Sequence, residues 1–310
     1  MTLGLFVSVI ISAAVVSDYI YDLSWCVQDI RRTYLMSLYY PKFMSLPEDC
    51  GGTVEASENF DIRFENVGFS YPGTDAQVLK NLCFEIKSGE RLALVGENGA
   101  GKSTVIKQLC RLYAPDEGRI LVGGTDLQDI DSTQLGRLFG IVFQDYFSYH
   151  LTLRENVAFG NIAELNDDEG IWASLGNFFD GELGDLDMPL GRIMEGGVDL
   201  SGGQWQRVAM ARGCFSKGAF MLLDEPTASL DPVAESSLYS NFAGILKARG
   251  AIMVSHRLAS AKMADRIILL SGGKVHEEGS HEELMQTKGM YCEMFTKQSE
   301  WYQDERSESE

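Results

Sequence analysis

Basic residues are scarce in this chain: 26 lysines and arginines stand against 45 aspartates and glutamates, a formal net charge of −19 over 310 residues. Such a balance repels nucleic-acid phosphates, so no nucleic-acid partner is expected. It reads more simply as a solvated surface suited to a cytoplasmic face. The 6 cysteines, at positions 26, 50, 83, 110, 214 and 292, contain no C-x-x-C pair. Neither metal nor disulfide chemistry is indicated, and a reduced setting is expected. There is no internal repeat and no low-complexity tract. A long uninterrupted apolar run is also missing. The nearest, Leu3 to Val16, is broken by Gly4, Ser8 and Ser12 and falls short of the roughly twenty residues that cross a bilayer. No Lys or Arg precedes it and no clean small-residue cleavage site follows, which argues against a signal peptide. A buried amphipathic helix is one alternative for this run.

What is present is chemically dense. Gly96-Glu97-Asn98-Gly99-Ala100-Gly101-Lys102-Ser103 fits G-x-x-x-x-G-K-[ST], with the apolar strand-length run Arg91 to Val95 before it and a helical stretch, Thr104 to Leu112, after it. Strand, glycine loop and helix is the order a phosphate cradle requires. Glycines let successive N–H groups face one centre, and the helix start adds its positive end. Lys102 is expected to neutralise the β- and γ-phosphates of a polyphosphate, and the hydroxyl of Ser103 to ligate Mg²⁺.

A second apolar run, Ala219 to Leu223, ends in Asp224 and Glu225. Its continuous hydrophobicity predicts a parallel strand covered on both faces. Ligands of open α/β sheets bind beyond the carboxyl ends of the strands, which makes Asp224 the metal-side acid. Side chains alternate along a strand, so Glu225 is expected to point away from Asp224, towards a water in line with the γ-phosphate, as general base. The plainer alternative is a pair of acids capping the turn at Pro226 and Thr227.

Between these two motifs lies Leu200-Ser201-Gly202-Gly203-Gln204. A serine and two glycines opening a helix (Gln204 to Ala211) expose N–H groups and a hydroxyl to an anion. With the phosphate loop ahead and the acidic strand behind, the sequence resembles the ATP-binding cassette (ABC) ATPases, residue by residue from about Asp61 to Phe295. The resemblance implies an α/β fold, a P-loop NTPase cassette with a β-rich N-terminal subdomain, a RecA-like core and a helical subdomain, preceded here by an N-terminal helix. It implies further site residues. Tyr71 matches the aromatic that stacks on adenine. Gln144 matches the glutamine that approaches the metal and the attacking water and senses a membrane partner. Asp231, in Ser229-Leu230-Asp231, lies in the loop that crosses the dimer interface, and His256 matches the switch histidine at the γ-phosphate. Thr104 completes the phosphate set. In this family Ser201, Gly202, Gly203 and Gln204 act in trans, closing on nucleotide held by the other subunit's Lys102. A second cassette, identical or related, is therefore implied, together with hydrolysis of ATP to ADP and phosphate.

The organisation reads as a helix remnant (1–46), a linker (47–60), a nucleotide-binding domain (61–298) and a solvated, mobile acidic tail (299–310). The first segment runs through Arg31-Arg32 to Pro47 and is similar to the last membrane helix and cytoplasmic extension of ABC exporters. Leu151 to Val157 and Glu195-Gly196-Gly197 resemble exporter cassettes too, where they face the membrane domain. The resemblance thus implies the ATPase of an exporter, at the cytoplasmic face of a membrane, with five earlier helices not in this sequence. Two alternatives stay open at this point: a soluble ABC ATPase acting on a macromolecule, and a fragment that binds ATP with little turnover.

Overall fold

The computed structural model describes residues 3–45, 60–179, 181, 183–193, 196–226, 249–255 and 258–308. The chain divides into two units, Met1–Cys50 and Gly51–Glu310.

In the first unit, helix α1 (Leu3–Met44) is continuous for 42 residues. The apolar run foreseen at Leu3 to Val16 is thus only its beginning, and the helix carries on through Asp18, Asp22, Arg31 and Arg32 to Pro41. It contains a window long and apolar enough to cross a membrane, and all of its residues are exposed.

The second unit starts with strands β1 (Ile62–Ser70) and β2 (Gln77–Ile86). Strand β3 (Arg91–Gly96) then leads through the phosphate loop into helix α2 (Lys102–Leu109). The chain returns to the first sheet as β4 (Glu117–Val122) and β5 (Thr125–Asp126). Helix α3 (Ser132–Leu138) and strand β6 (Phe139–Val142) bring it back to the core. Helices α4 (Leu153–Ala158), α5 (Asp168–Gly176) and α6 (Gly202–Phe215) follow, the last containing the stretch Gln204 to Ala211. Strands β7 (Phe220–Asp224) and β8 (Gly250–Val254), helix α7 (Leu258–Ala261) and strands β9 (Arg266–Ser271) and β10 (Lys274–Gly279) complete the core. Helices α8 (His281–Thr287) and α9 (Met290–Glu308) close the described chain. The acidic end, expected to be mobile, is helical through Glu308.

Two sheets result. The antiparallel one has the order β2-β1-β4-β5, and the other β10-β9-β3-β8-β7-β6, parallel except for the β9–β10 hairpin. Strand β8 separates β3 from β7, so the phosphate-loop strand and the acidic strand are not neighbours. The core strands alternate cleanly. Leu92, Leu94, Leu222, Ile252, Val254 and Ile268 point to the side shared with α2 and the antiparallel sheet. Ala93 and Val95 point to the side of α7, α8 and α9, while Met221, Leu223 and Met253 point to that of α4, α5 and α6. This two-sided burial is the physical reason for the continuous apolar runs. Each fully buried Leu, Ile or Val contributes about 1.5–3 kcal/mol, and packing from both faces leaves the strands little room to shift.

Candidate nucleotide-binding and catalytic site

The alternation that builds the core also aims the site. Phe220 and Leu222 face α2, so Asp224, two residues on, faces it as well. Its Oδ1 accepts a hydrogen bond from Ser103 Oγ at 2.9 Å, 121 residues away in sequence. Cα pairing sets Asp224 level with Val254, and Val254 level with Leu94. The carboxyl ends of β3, β8 and β7 thereby share one edge, where the loop begins.

The loop itself depends on glycine at two positions. Gly96 has φ 144°, and a Cβ there would run into the carbonyl oxygen of Leu270 on β9. Gly101, at φ 101°, is the left-handed residue before α2, and a Cβ there would press into the side chain of Leu79 on β2. At Gly96 backbone excludes any other residue, and at Gly101 the positive φ strains one and Leu79 would have to shift. Lys102 is only 4 % exposed. Its Nζ donates to the carbonyls of Gly96 and Glu97, both at 2.9 Å, which lays the ammonium across the loop. Burial lowers its pKa, and the charges of Glu225 and Asp224 oppose that shift. Asp224, also 4 % exposed, has its pKa raised by burial against the hydrogen bond from Ser103, with the charge of Glu225 adding to the rise. The charges of Lys102, Lys107, Asp224 and Glu225 thus act on one another at this edge, with Lys102 and Asp224 themselves buried.

Glu225 lies just outside the strand whose alternation the sequence reading used for it. Strand β7 ends at Asp224, and Glu225 adopts the left-handed conformation, φ 49°, while its N–H still donates to Val254 O at 3.0 Å. Its direction comes from a backbone turn rather than from strand alternation. A non-glycine residue in this region costs on the order of 1–3 kcal/mol and persists where its surroundings over-determine it.

Tyr71 lies beside α2. Its hydroxyl is 3.1 Å from Thr104 Oγ1, its ring meets Phe69 and Tyr113 edge-on at 5.1 and 5.2 Å, and Lys107 Nζ lies 5.5 Å over it. Gln144 is exposed, two residues beyond β6 at the outer end of the sheet. Ser201 caps α6 in a capping box: its Oγ accepts from Gln204 N at 3.3 Å, and Gln204 Oε1 accepts from Ser201 N at 2.9 Å. Ser201 and Gly202 are exposed. Among the described residues no hydrogen bond joins residues 201–204 to the phosphate loop. The structure therefore brings together Lys102, Ser103, Thr104, Tyr71, Asp224 and Glu225. Asp231 and His256 lie outside the described residues.

Two side chains not singled out in the sequence join these parts. Tyr146 Oη donates to Gly202 O at 2.8 Å, and Gln206 Nε2 donates to Pro226 O. Gln206 had a signal, a glutamine among Trp205, Val208 and Ala209 on the buried side of a helix, where its amide requires a partner.

Comparison with known proteins agrees with this geometry. Residues 79–228 match the family model described as ABC transporter. Over 236 residues the chain is 39 % identical to the "Subtilin transport ATP-binding protein SpaT" of Bacillus subtilis, covering 74 % of this chain and 38 % of that protein. It is 33 % identical over 306 residues to the "ATP-dependent lipid A-core flippase" of Alcanivorax borkumensis, covering 95 % of this chain and 51 % of the flippase. The fold matches a solved structure titled "Structure of a bacterial Atm1-family ABC exporter with ATP bound", with TM-score 0.75, 32 % identity, and coverage of 87 % of this chain and 48 % of that one. The chain thus spans about half or less of the length of these relatives.

Proposed function

We propose, from the premise that this chain carries an ATP-binding cassette of the ABC transporter family, that it binds and hydrolyses ATP to drive export across a membrane. The observation that carries this reading is the bond between Ser103 and Asp224. It unites the loop and the acidic strand at the sheet edge where Lys102 is buried, and a loop, a hydroxyl and an acid are the parts that phosphoryl transfer needs. The relatives' printed names, a transport ATP-binding protein, an ATP-dependent flippase and an exporter, support the direction of the work. Helix α1, long and apolar enough to cross a membrane, supports a place at its cytoplasmic face.

Loop amides from Gly96 to Thr104 receive the phosphates, Lys102 neutralises them, and Tyr71 meets the base. Oxygen donors alone, from Ser103, Asp224 and Gln144, suit Mg²⁺, which is hard and takes few protein ligands. When bound, the ion neutralises charge on the phosphates. Glu225, turned out of the strand, orients water and takes its proton, and Gln144 and His256 complete the polar surround. The exposed cap formed by Ser201, Gly202, Gly203 and Gln204 closes on the nucleotide of a second cassette, with Asp231 at that interface. Positioning and charge do most of the catalysis. The transported substrate belongs to the membrane domain that would pair with this cassette.

The test is Glu225→Gln in the full chain assembled with an exporter membrane domain. ATP binding should stay within a few-fold of wild type while turnover falls by about 10²–10⁴-fold, the range a general base supplies. Unchanged steady-state hydrolysis would remove Glu225 from the role of base.

A further inference from the structure

Helix α6 offers its tip outward at Ser201 and Gly202, yet it is tied inward at two points. Near the tip, Tyr146 Oη donates to Gly202 O at 2.8 Å, and Tyr146 follows Gln144 by two residues. One turn deeper, the side chain of Gln206, 2 % exposed, donates through Nε2 to the carbonyl of Pro226. Pro226 directly follows Glu225, the residue held at φ 49°. Proline has no N–H, so its carbonyl is its only hydrogen-bonding group, and the bond from Gln206 fixes the plane of the peptide that leaves the turn. On the other side, Glu225 N is bonded to Val254 O at 3.0 Å. The left-handed turn is therefore clamped between β8 and α6.

We propose that Gln206 is a positioning residue for Glu225, and that α6 is the strut by which load on the Ser201 tip changes the Glu225 turn of the same chain. Its 14 residues make a rod about 21 Å long, packed on β6, α4 and α5 and sharing a buried cluster with Met221 and Leu223 of the acidic strand. In a pair of cassettes the tip of one chain closes on nucleotide held by the other. Contact at that remote site would then be felt at the first chain's own Glu225 through one buried amide. The inference rests on the hydrolytic reading of Glu225, but the clamp itself is independent of it.

Two variants of the full chain test it. Gln206→Met keeps the length and removes the donor. Gln206→Glu donates only while its carboxyl is protonated. In Gln206→Met, deuterium exchange in the 222–226 segment should quicken by at least about tenfold, the free-energy equivalent of about 1.4 kcal/mol of lost protection, with α2 and β3 unchanged. ATP turnover should fall at least tenfold in kcat with KM within twofold. Gln206→Glu should regain turnover as the pH is lowered towards 6, a limb absent from wild type. Unchanged exchange at 222–226 overturns the proposal. So does exchange that quickens throughout the core, or a Gln206→Glu profile that parallels wild type. If wild type assembled with an exporter membrane domain shows no turnover while exchange at 222–226 still responds, the clamp stands and the hydrolytic reading falls.

Discussion

Asp224 and Lys102 are held at a cost that only a ligand relieves. Burial raises the pKa of Asp224, so the folded chain binds that proton more tightly than the unfolded one. Its contribution to stability is then fully present below the unfolded value of about 3.9 and is lost as pH rises through the folded value. Lys102 is the mirror case: burial lowers its pKa, and the folded state holds the proton less tightly than the unfolded chain. Asp224→Asn removes the first cost. Without nucleotide the variant should match wild type in stability at the acid end of that window and exceed it at pH 7, while losing Mg²⁺-dependent ATP binding. Urea unfolding of both proteins as a function of pH checks the sign, and a variant less stable at pH 7 would refute it. At this scale the sequence was informative about residue identity and weak on direction. It named Glu225 on strand alternation, but the strand ends at Asp224 and Glu225 sits in a left-handed turn. That conformation depends on contacts to β8 and α6 from distant parts of the chain.

Helix α2 carries a defect of a different kind. It buries Thr104, Val105, Ile106, Gln108 and Leu109, and Gln108, fully buried, finds no hydrogen-bond partner among the described residues at either Nε2 or Oε1. Leaving such a group unsatisfied costs about 1–3 kcal/mol. Gln108→Leu conserves volume and replaces the amide with a methyl pair, so it should stabilise the chain by roughly that amount. The melting temperature would rise about 2–4 °C for each kcal/mol, with ATP affinity unchanged. A lower melting temperature would mean that the amide has a partner in solution. Elements elsewhere were easier to read. Thr152-x-x-Glu155, Ser201-x-x-Gln204 and Ser280-x-x-Glu283 are capping boxes in sequence, and all three form and open α4, α6 and α8. The apolar run at Leu3 to Val16 looked short for a bilayer because polar residues end an apolar run without ending a helix. Between Val16 and Pro41 no glycine or proline interrupts it.

For the whole molecule the proposed function carries a prediction about pairing. One chain supplies the cradle around Lys102 and the exposed tip at Ser201. Two copies arranged head to tail would satisfy both. Glu225→Gln should therefore double in mass when ATP is added, measured by light scattering. Adding Ser201→Arg, which sets bulk and charge on the tip, should abolish the doubling and leave ATP binding by the single chain within a few-fold. A dimer of equal strength without nucleotide would contradict the arrangement. Because the single chain already binds ATP, only the affinity that the tip adds to the bound nucleotide favours the closed pair, about 1.4 kcal/mol for each tenfold.

By itself the sequence determined the chemistry and the strands that carry it. Phosphate binding demands glycine, lysine and a hydroxyl in fixed order, and a strand buried on both faces can be little else than a continuous apolar run. Those constraints are local and leave their mark within a dozen residues. The tertiary structure alone decided what the motifs do to one another: that Ser103 meets Asp224 across 121 residues, that β8 lies between their strands, and that Gln206 reaches the turn at Glu225. Such contacts arise from how sheet and helices close over a common core, and no short stretch of residues encodes a distance between two others.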